Sequence, residues 1–388
     1  MDRVPLIAID FAFFDHANIG AGQYRYVVQI ALGFARKSGY RFLIIGSQPE
    51  PVPELRELVE QSDNWDYASV PHHSYPLNDL VYHVRYSLLL WRKRVNLFHA
   101  THVFVPALPP CKVVMTKHDL MEEIFDEYKQ VIRQRPYRMH KWATRTKVDK
   151  VISISQCTHD DLVKYFHISP EKSVVIHHGI DHNQPKNVPD LFSQKDWQPY
   201  MENRLPWILA PYNLEPRKNL IGLCRALPMV VEEFPDVRLV LFGNAAITPE
   251  RVLEFENEVE ALGVSDHIHK VGFVSDPELT WLYSNTDIFV FSTQYEGFGY
   301  PIIEAMSAGS CVISGNASSM AELMADIGVG VDVNDKQKLA EAIIALLGHK
   351  ELREDLAERG QRWARSFTLE KVVRKTFDTY LDVLKRDS

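Results

Sequence analysis

The chain has 388 residues, of which 46% are hydrophobic and 24% are charged, and its formal net charge is −8 at pH 7. This length exceeds that of one ordinary hydrophobic core and predicts two domains. The acidic balance argues against a nucleic-acid-binding surface over the whole protein. Four scattered cysteines form no Cys-x-x-Cys pair, which argues against structural zinc or a disulfide framework.

The apolar run at residues 4–9 is too short for the core of a secretion signal or for a membrane span. Together with the cysteine pattern, it predicts a cytoplasmic protein in a reducing compartment.

Short β runs and helical patterns alternate through the first half of the chain. This alternation predicts a parallel sheet with helices on both faces. The predicted elements are strand 6–11, loop 15–22, helix 23–37, strands 41–45, 97–100, 112–117 and 150–154, helix 157–166 and strand 173–177.

The loop after the first strand carries a glycine pair, Gly20 and Gly22, immediately before a predicted helix. Two glycines at a helix N-terminus are by themselves a weak signal for phosphate binding. The loop lacks a complete Gly-x-Gly-x-x-Gly, which argues against a nicotinamide-dependent enzyme.

His118 directly follows the β run at 112–117 and is therefore expected at the carboxyl end of a strand, where open sheets bind ligands. It is either a ligand-contacting histidine or an ordinary buried one. The other histidines nearby are too irregularly spaced to predict a metal site, and no metal is expected.

Basic side chains gather between residues 133 and 150, interleaved with Tyr137 and Trp142, and Arg92, Lys93 and Arg94 add to them. In an acidic protein this asymmetry indicates either a face that contacts anionic lipid or a lipid-diphosphate acceptor, or a solvated helix face. The basic residues of the segment are Arg133, Arg135, Arg138, Lys141, Arg145, Lys147 and Lys150.

The alternating pattern stops near residue 181 and restarts at 207. The predicted organisation is a first domain at 1–186, a linker at 187–205 and a second domain at 206–368, with an amphipathic helix at about 369–388 packing back on the first domain. Two such α/β domains leave a cleft, and ligands of open sheets bind at the carboxyl ends of the strands. The second-domain strands are predicted at 207–211, 237–242, 267–271, 287–291 and 311–314.

A second candidate cluster, Asn213-Leu-Glu-Pro-Arg217-Lys218-Asn-Leu, ends the first strand of this domain and begins a helix. Paired cations at such a place suit a diphosphate, because they offset the charge that develops on a leaving nucleotide. The alternative is a solvated, basic helix start.

The strongest motif is Glu296-Gly-Phe-Gly-Tyr-Pro-Ile-Ile-Glu304, which follows a buried strand and opens a helix. Gly297 and Gly299 permit a tight turn, and the helix start supplies amides and a positive dipole end for a diphosphate or a sugar ring. The two glutamates can hold different parts of one ligand. Singly, Glu296 could be a capping residue and Glu304 an ordinary helix residue.

These motifs resemble glycosyltransferase family four, the large retaining GT-B family. The Glu-x7-Glu spacing of Glu296 and Glu304 matches, as do Val-Gly-Phe at 271–273 and His-His-Gly-Ile-Asp at 177–181. The resemblance covers most of the chain and implies the GT-B fold, with two Rossmann-like domains facing across a cleft. The second half matches more specifically than the first.

The resemblance also implies roles for single residues. Glu304 would bond the donor ribose, and Glu296 the sugar hydroxyls, with Phe298, Tyr300 and the turn glycines. Gly272 and Phe273 would lie near the base, with core packing as the alternative for Phe273. Lys218 matches the family lysine, Arg217 is only adjacent to it, and Asn213 stands near a position where many members carry arginine. The loop of Gly20 and Gly22 would cover the donor phosphates, and His118 would touch the donor sugar or the acceptor.

The implied activity is metal-independent transfer of a hexose from a nucleoside-diphosphate sugar to a glycan or lipid-linked acceptor, with the anomeric configuration retained. UDP-glucose is weakly favoured over GDP-mannose, and no cofactor beyond the nucleotide sugar is expected. Neither a Gly-x-Ser-x-Gly nor a cysteine–histidine frame suggests a hydrolase. The alternatives are a GT-B epimerase or phosphorylase and, from another class, a non-catalytic sugar- or nucleotide-binding protein.

Overall fold

The computed structural model describes residues 4–12, 14, 22–71, 78–102, 104–182, 205–244, 248–324 and 327–385, without the side chains of 78–80, 131, 135 and 136. The chain divides into two units, Met1–Gly179 with Leu369–Ser388, and Ile180–Thr368. The N-terminal segment of the first unit therefore ends at residue 179, whereas the sequence predicts that the first domain ends at residue 186. Of the predicted linker, only Leu205 lies within the described residues.

The first unit contains a seven-stranded parallel sheet in the order β3-β2-β1-β4-β5-β6-β7. Successive strands run outward from β1 to β3 on one side and from β4 to β7 on the other. The strands are β1 (Leu6–Asp10), β2 (Arg41–Gly46), β3 (Trp65–Ser69), β4 (Leu97–Ala100), β5 (Lys112–Lys117), β6 (Lys150–Ser153) and β7 (Ser173–Val175).

Helices of the first unit cover both faces of this sheet. The last α-helix before β7 continues into a π-helical turn, Leu162–Phe166. The helices are α1 (Gly22–Gly33), α2 (Pro53–Gln61), α3 (Asn78–Lys93), α4 (Met121–Ile124), α5 (Lys129–Arg133), α6 (Arg135–Thr146) and α7 (Gln156–Asp161).

The inner strands of this sheet, such as β1 and β4, are buried on both faces, which explains their continuous apolar character. In β1, Ile7 and Ile9 join one hydrophobic cluster, whereas Leu6 and Ala8 join another on the opposite face. This division follows from the alternation of side chains along a strand.

The C-terminal helix of the chain, α15 (Leu369–Lys385), belongs to the first unit. Its Phe377 and Tyr380 each lie with ring centroids 5.5 Å from the ring of Phe34, directly after α1. The helix thereby closes the same cluster that contains Ile7 and Ile9.

The second unit contains a six-stranded parallel sheet in the order β10-β9-β8-β11-β12-β13. Both sheets have the doubly wound architecture that the sequence predicts, so that prediction is confirmed. The strands are β8 (Trp207–Pro211), β9 (Arg238–Phe242), β10 (Ile268–Gly272), β11 (Ile288–Phe291), β12 (Val312–Gly315) and β13 (Val329–Val331).

Helices of the second unit follow its strands in turn, as right-handed crossovers between parallel strands require. They are α8 (Leu220–Glu233), α9 (Pro249–Ala261), α10 (Asp276–Asn285), α11 (Tyr300–Ala308), α12 (Ser318–Met324), α13 (Lys336–Gly348) and α14 (Lys350–Ala364), and α15 ends the chain.

Candidate functional site

The sheet of the second unit reverses its winding between β8 and β11, because β9 and β10 lie on one side of this pair and β12 and β13 on the other. At such a switch point the loops leaving two neighbouring strands diverge and open a crevice for ligands. The loop after β8 carries Arg217 and Lys218, and the loop after β11 carries Glu296. The two strongest sequence motifs therefore meet at one place.

Arg217, Lys218 and Glu296 are in direct contact. The Arg217 Nη1 atom lies 3.1 Å from Oε1 of Glu296, and the Lys218 ammonium donates to the same carboxylate oxygen. Arg217 also pairs through Nη2 with Glu215 at 2.9 Å. All three members of the cluster are largely buried, so their charges are screened less than those of a surface ion pair.

Hydrogen bonds to the carbonyl oxygens of Arg217 and Lys218 hold the two loops together. The Gln294 amide donates to the carbonyl oxygen of Arg217 at 2.7 Å, and the Ser292 hydroxyl donates to the carbonyl oxygen of Lys218 at 2.9 Å. The Gln294 side chain reaches Asn334, after β13, at 2.6 Å. The cations are thus positioned by main-chain contacts as well as by their own ion pairs.

Asn213 has a structural contact at the start of its loop. Its side-chain oxygen accepts a hydrogen bond from the Glu215 amide at 2.9 Å, which forms an Asx-type turn. A 3₁₀ turn, Pro216–Lys218, then leads to Asn219, which takes a left-handed conformation with φ of 52° before α8. The predicted contact of Asn213 with the donor stays a prediction.

The turn between Glu296 and α11 is fixed by two serines at the start of α12. Ser318 Oγ accepts from the Glu296 amide at 3.1 Å, and the Ser319 hydroxyl lies 2.8 Å from the carbonyl oxygens of Glu296 and Phe298. Gly299 has φ of 107°, a conformation that disfavours other residues. Sequence reasoning did not single out the serines, although small hydroxyl residues at a helix start were the available signal.

The side chains within the motif differ in exposure. The ring of Phe298 is buried and packs against Tyr300 and Phe367, so a contact with a ligand would have to use its backbone. Gly297 is buried, whereas Tyr300 and Glu304 are half-buried. Glu304 lies one turn along α11, whose N-terminus presents its positive dipole end to the turn.

Gly272 ends β10, the edge strand of the same sheet, and Phe273 follows it. The Phe273 ring is 86% exposed, which excludes the alternative of core packing. Because neighbouring strands are about 4.8 Å apart, β10 lies roughly 10 Å from β8. The predicted contact of Gly272 and Phe273 with the base stays a prediction.

His118 lies in the first unit, directly after β5, and its side chain is buried. Its Nε2 atom is 2.9 Å from the carbonyl oxygen of Thr101. Burial lowers the pKa of His118 to about 4, and the positive charge of Lys117 acts in the same direction, whereas the bond to Thr101 opposes it. The ring is therefore neutral at pH 7 with its proton on Nε2, and its Nδ1 is a hydrogen-bond acceptor.

A buried network surrounds this histidine. The Tyr380 hydroxyl lies 2.6 Å from Nδ1 of His99, whose Nε2 is 2.8 Å from the Thr116 hydroxyl. Thr116 in turn lies 3.0 Å from the hydroxyl of Tyr26, whose ring packs against His118 with centroids 5.5 Å apart. The network connects the C-terminal helix to the His118 ring, and sequence spacing gave no signal of it.

The remaining predicted positions are dispersed. Gly22 is the first residue of α1, whereas Gly20 lies outside the described residues. In α6, Arg138, Trp142 and Arg145 are exposed at helical spacing. Among the residues that the structure describes, no cluster of histidine, cysteine, aspartate or glutamate could hold a metal ion.

Two family descriptions match this chain. Glycosyl transferases group 1 matches residues 195–363, and Glycosyltransferase Family 4 matches residues 20–184. The two matches cover the second sheet, the first sheet except for β1, and the motifs described above. The chain belongs to glycosyltransferase family 4. The protein is thus a glycosyltransferase, and the predicted family is confirmed.

This family 4 member is similar to several known sugar transferases. The O-antigen chain mannosyltransferase B of Escherichia coli is 27% identical over 296 residues, which cover 73% of this chain and 74% of that protein. A glycosyltransferase structure from Rickettsia africae superposes with a TM-score of 0.76 at 18% identity, covering 98% of this chain and 99% of its own.

The structure of Anabaena HepE in complex with UDP and glucose has a TM-score of 0.75 at 19% identity, covering 97% of this chain and 99% of its own. At these identities both likenesses establish the GT-B fold of the family 4 member and nothing finer.

Proposed function

We propose that this family 4 enzyme transfers a hexose, with retention of the anomeric configuration, from a nucleoside-diphosphate sugar to a hydroxyl of a glycan or lipid-linked acceptor in polysaccharide or glycolipid synthesis. The observation that carries the proposal is the contact of Arg217 and Lys218 with Glu296 at the switch point of the second sheet. An epimerase, a phosphorylase or a non-catalytic binding protein has no comparable observation in its favour.

In the proposed site, Lys218 and Arg217 stabilise the diphosphate while it departs. In the structure, Nη1 of Arg217 and the ammonium of Lys218 both donate to Oε1 of Glu296. A diphosphate beside the cluster would share these donors and leave the carboxylate able to bond sugar hydroxyls. Catalysis of this kind works by placing preformed charges where negative charge develops, which is often the largest contribution to rate enhancement.

Retention follows if the acceptor hydroxyl attacks the anomeric carbon on the face that the diphosphate leaves. The bond between that carbon and the diphosphate oxygen breaks, and the new bond forms to the acceptor oxygen. The acceptor proton passes to the departing diphosphate, so no protein base is needed. We propose that His118 contributes only its neutral ring, as an acceptor of a hydrogen bond from a sugar hydroxyl.

We propose mannose as the transferred sugar, with GDP-mannose as its donor. The E. coli relative named a mannosyltransferase supports this choice over the UDP-glucose that the motifs alone favour weakly. The Anabaena complex with UDP and glucose carries less weight, because its 19% identity speaks for the fold alone.

A nucleotide titration tests the donor proposal. At about a hundred times its dissociation constant, a ligand stabilises a protein by about 2.7 kcal/mol, so GDP is expected to raise the Tm by roughly 5–10 °C. UDP should leave the Tm unchanged. Differential scanning fluorimetry measures both.

The variant Glu304→Ala is expected to lose the shift, because Glu304 is proposed to bond the ribose. Glu341→Ala, an exposed glutamate on α13, serves as the matched control and should keep it. A shift with UDP alone would replace the mannose proposal by glucose, and no shift with either nucleotide would overturn the proposed donor site.

We further propose that the first unit contacts anionic lipid. In the basic region 133–150, Arg138, Trp142 and Arg145 are exposed, and α3 exposes Val84, Leu88 and the 66%-exposed Trp91 along one stripe. Exposed arginines of the same helix border this stripe, at positions 85 and 92. Apolar side chains beside cations suit the interface of an anionic bilayer. Within the described part of the chain, no helix is long and apolar enough to span a bilayer.

Vesicle sedimentation tests this contact. Phosphatidylglycerol-containing vesicles should retain the wild type at low salt, whereas neutral phosphatidylcholine vesicles should not. Leu88→Glu with Trp91→Glu is expected to reduce binding about tenfold or more, because each substitution replaces an inserting side chain by a repelled charge. The matched control is Leu352→Glu with Trp363→Glu, two exposed positions of the second unit. Equal binding by both double variants would contradict the proposal.

A further inference from the structure

The first unit contains a cavity of about 390 Å³ beside His118. Residues of α3, α4 and α6 and the end of β5 line it, and all of its described lining residues belong to the first unit. Its volume falls within the range of small-molecule sites. The sequence marks His118 as a candidate for contact with a ligand, but it does not show the rest of the lining, because the walls come from segments far apart in the chain.

Lys117 lines this cavity as a buried cation without a carboxylate partner. Its side chain is 3% exposed, and among the described residues no acidic oxygen lies within ion-pairing distance of its ammonium. The ammonium has only a long hydrogen bond, 3.5 Å, to Nε2 of His140 and a position 5.4 Å from the ring centroid of Phe166. An ammonium has three donors, so Lys117 can donate further hydrogen bonds to an occupant.

Glu122 contributes a carboxylate to the lining of the same cavity. Its Oε2 atom is buried and has no hydrogen-bond partner among the described residues. A carboxylate oxygen only accepts hydrogen bonds, and leaving it buried without a donor is costly. The neighbouring Glu123 differs, because it binds Lys141 at 2.7 Å and the Tyr137 hydroxyl at 3.0 Å.

Aromatic rings form much of the remaining wall, from Tyr82, Phe104, Tyr137 and Trp142. Rings of this kind cover apolar faces of a ligand, while the polar groups fix its orientation. A pyranose presents both kinds of surface, since its C–H bonds form apolar faces and its hydroxyls both donate and accept hydrogen bonds.

We infer that this cavity holds the terminal pyranose of a glycan acceptor, with Lys117 donating to one of its hydroxyls and Glu122 accepting from another. The inference rests on the proposed function, because it assigns an acceptor to the transferase. Lys117 and Glu122 are then specificity-determining residues on the acceptor side, next to His118.

Two other occupants fit the lining less well. A phosphate would meet one ammonium but two carboxylates, because Asp119 lines the cavity together with Glu122. A lipid chain would bury both ionised groups against hydrocarbon, which costs free energy without any compensating bond. A neutral sugar satisfies the ammonium and the carboxylate together.

Saturation-transfer NMR tests the inference, with GDP or UDP present. The probes are the methyl glycosides of mannose, glucose and galactose, and farnesyl phosphate represents both the phosphate and the lipid. At least one glycoside is expected to bind the wild type. Lys117→Met and Glu122→Gln are each expected to weaken its binding about tenfold or more, which is the effect of losing a hydrogen bond to a charged group.

Lys141→Met and Glu123→Gln are the matched controls, because they change the same residue types next to the cavity without removing a group from its lining. Both should bind the glycoside like the wild type. Binding of farnesyl phosphate alone, or equal glycoside binding by the cavity variants and the controls, would overturn the inference. The nucleotide-induced rise in Tm, measured on the same samples, separates this failure from failure of the donor site in the second unit.

Discussion

Lys218→Ala is expected to lower kcat by about a hundredfold to a thousandfold, the usual effect of removing one preorganised charge from a site where negative charge develops. The Lys218 ammonium forms an ion pair with the Glu296 carboxylate at the switch point of the second sheet. Its proposed task, stabilising the leaving diphosphate, belongs to the transition state more than to the bound donor. Steady-state kinetics with GDP-mannose should therefore show a fall in kcat larger than any rise in KM.

The folded state should tolerate this change. Arg217 still pairs with Glu296 when Lys218 is absent, and hydrogen bonds from the Gln294 amide and the Ser292 hydroxyl to main-chain carbonyl oxygens still join the two loops. Lys338→Ala, which removes an exposed lysine paired with Asp335, is the matched control and should keep full activity. An unchanged kcat with only a raised KM would show that Lys218 binds the donor without stabilising the transition state.

Acidification is expected to destabilise the first unit as the pH falls from about 6.5 towards 4. Burial lowers the pKa of His99 to about 3 and those of His102 and His118 to about 4, and it holds the pKa of His178 well below its ordinary value. Below about pH 6.5 these histidines bind protons in the unfolded chain but stay neutral in the folded unit, so the free energy of unfolding decreases as the pH falls. For His118 alone the loss at pH 4 is on the order of 3 kcal/mol.

Asp10 works in the opposite direction over part of this range. Burial raises its pKa to about 6, although hydrogen bonds from Tyr86 and Ala12 oppose the increase. The folded unit therefore holds a proton on Asp10 between about pH 4 and 6 and gains stability there as the pH falls. One carboxyl offsets only part of the contribution of four histidines, so the net effect remains destabilising.

Hydrogen exchange measured by mass spectrometry between pH 7 and 5, corrected for intrinsic exchange rates, can follow the strands of each sheet separately. Peptides from β1 and β5 should lose protection before those from β8 and β11. His99→Gln should lower stability at pH 7 but flatten its pH dependence, because glutamine does not titrate. His349→Gln, at an exposed histidine, is the control and should keep the slope. Equal loss of protection in both sheets would contradict the prediction.

The alternating apolar runs predicted most strands because fully buried parallel strands must be apolar along their whole length. The apolar runs did not predict β3 or β13. The edge strand β3 reads Trp-Asp-Tyr-Ala-Ser and is mostly half-buried, and β13 has only three residues, one of them glycine. Such strands owe their structure to pairing with a neighbour, which a local pattern does not contain.

The donor-side motifs were visible in the sequence because each lies within a few consecutive residues. Glycine at 299 is required by a positive φ, and the cations at 217 and 218 are neighbours along the chain. Their convergence on the Glu296 carboxylate was not visible, since residues 218 and 296 meet only through the pairing of β8 with β11. The exposure of Phe273 likewise depended on its place at a sheet edge.

By itself, the sequence determined the two parallel sheets, the family and the residues of the donor motifs, because strand patterning and short motifs are local properties. Only the tertiary structure decided which charges meet, which histidines are neutral and where the cavity of Lys117 and Glu122 lies. Those properties depend on burial and on contacts between segments far apart in the chain, and both arise only when the sheets and helices assemble.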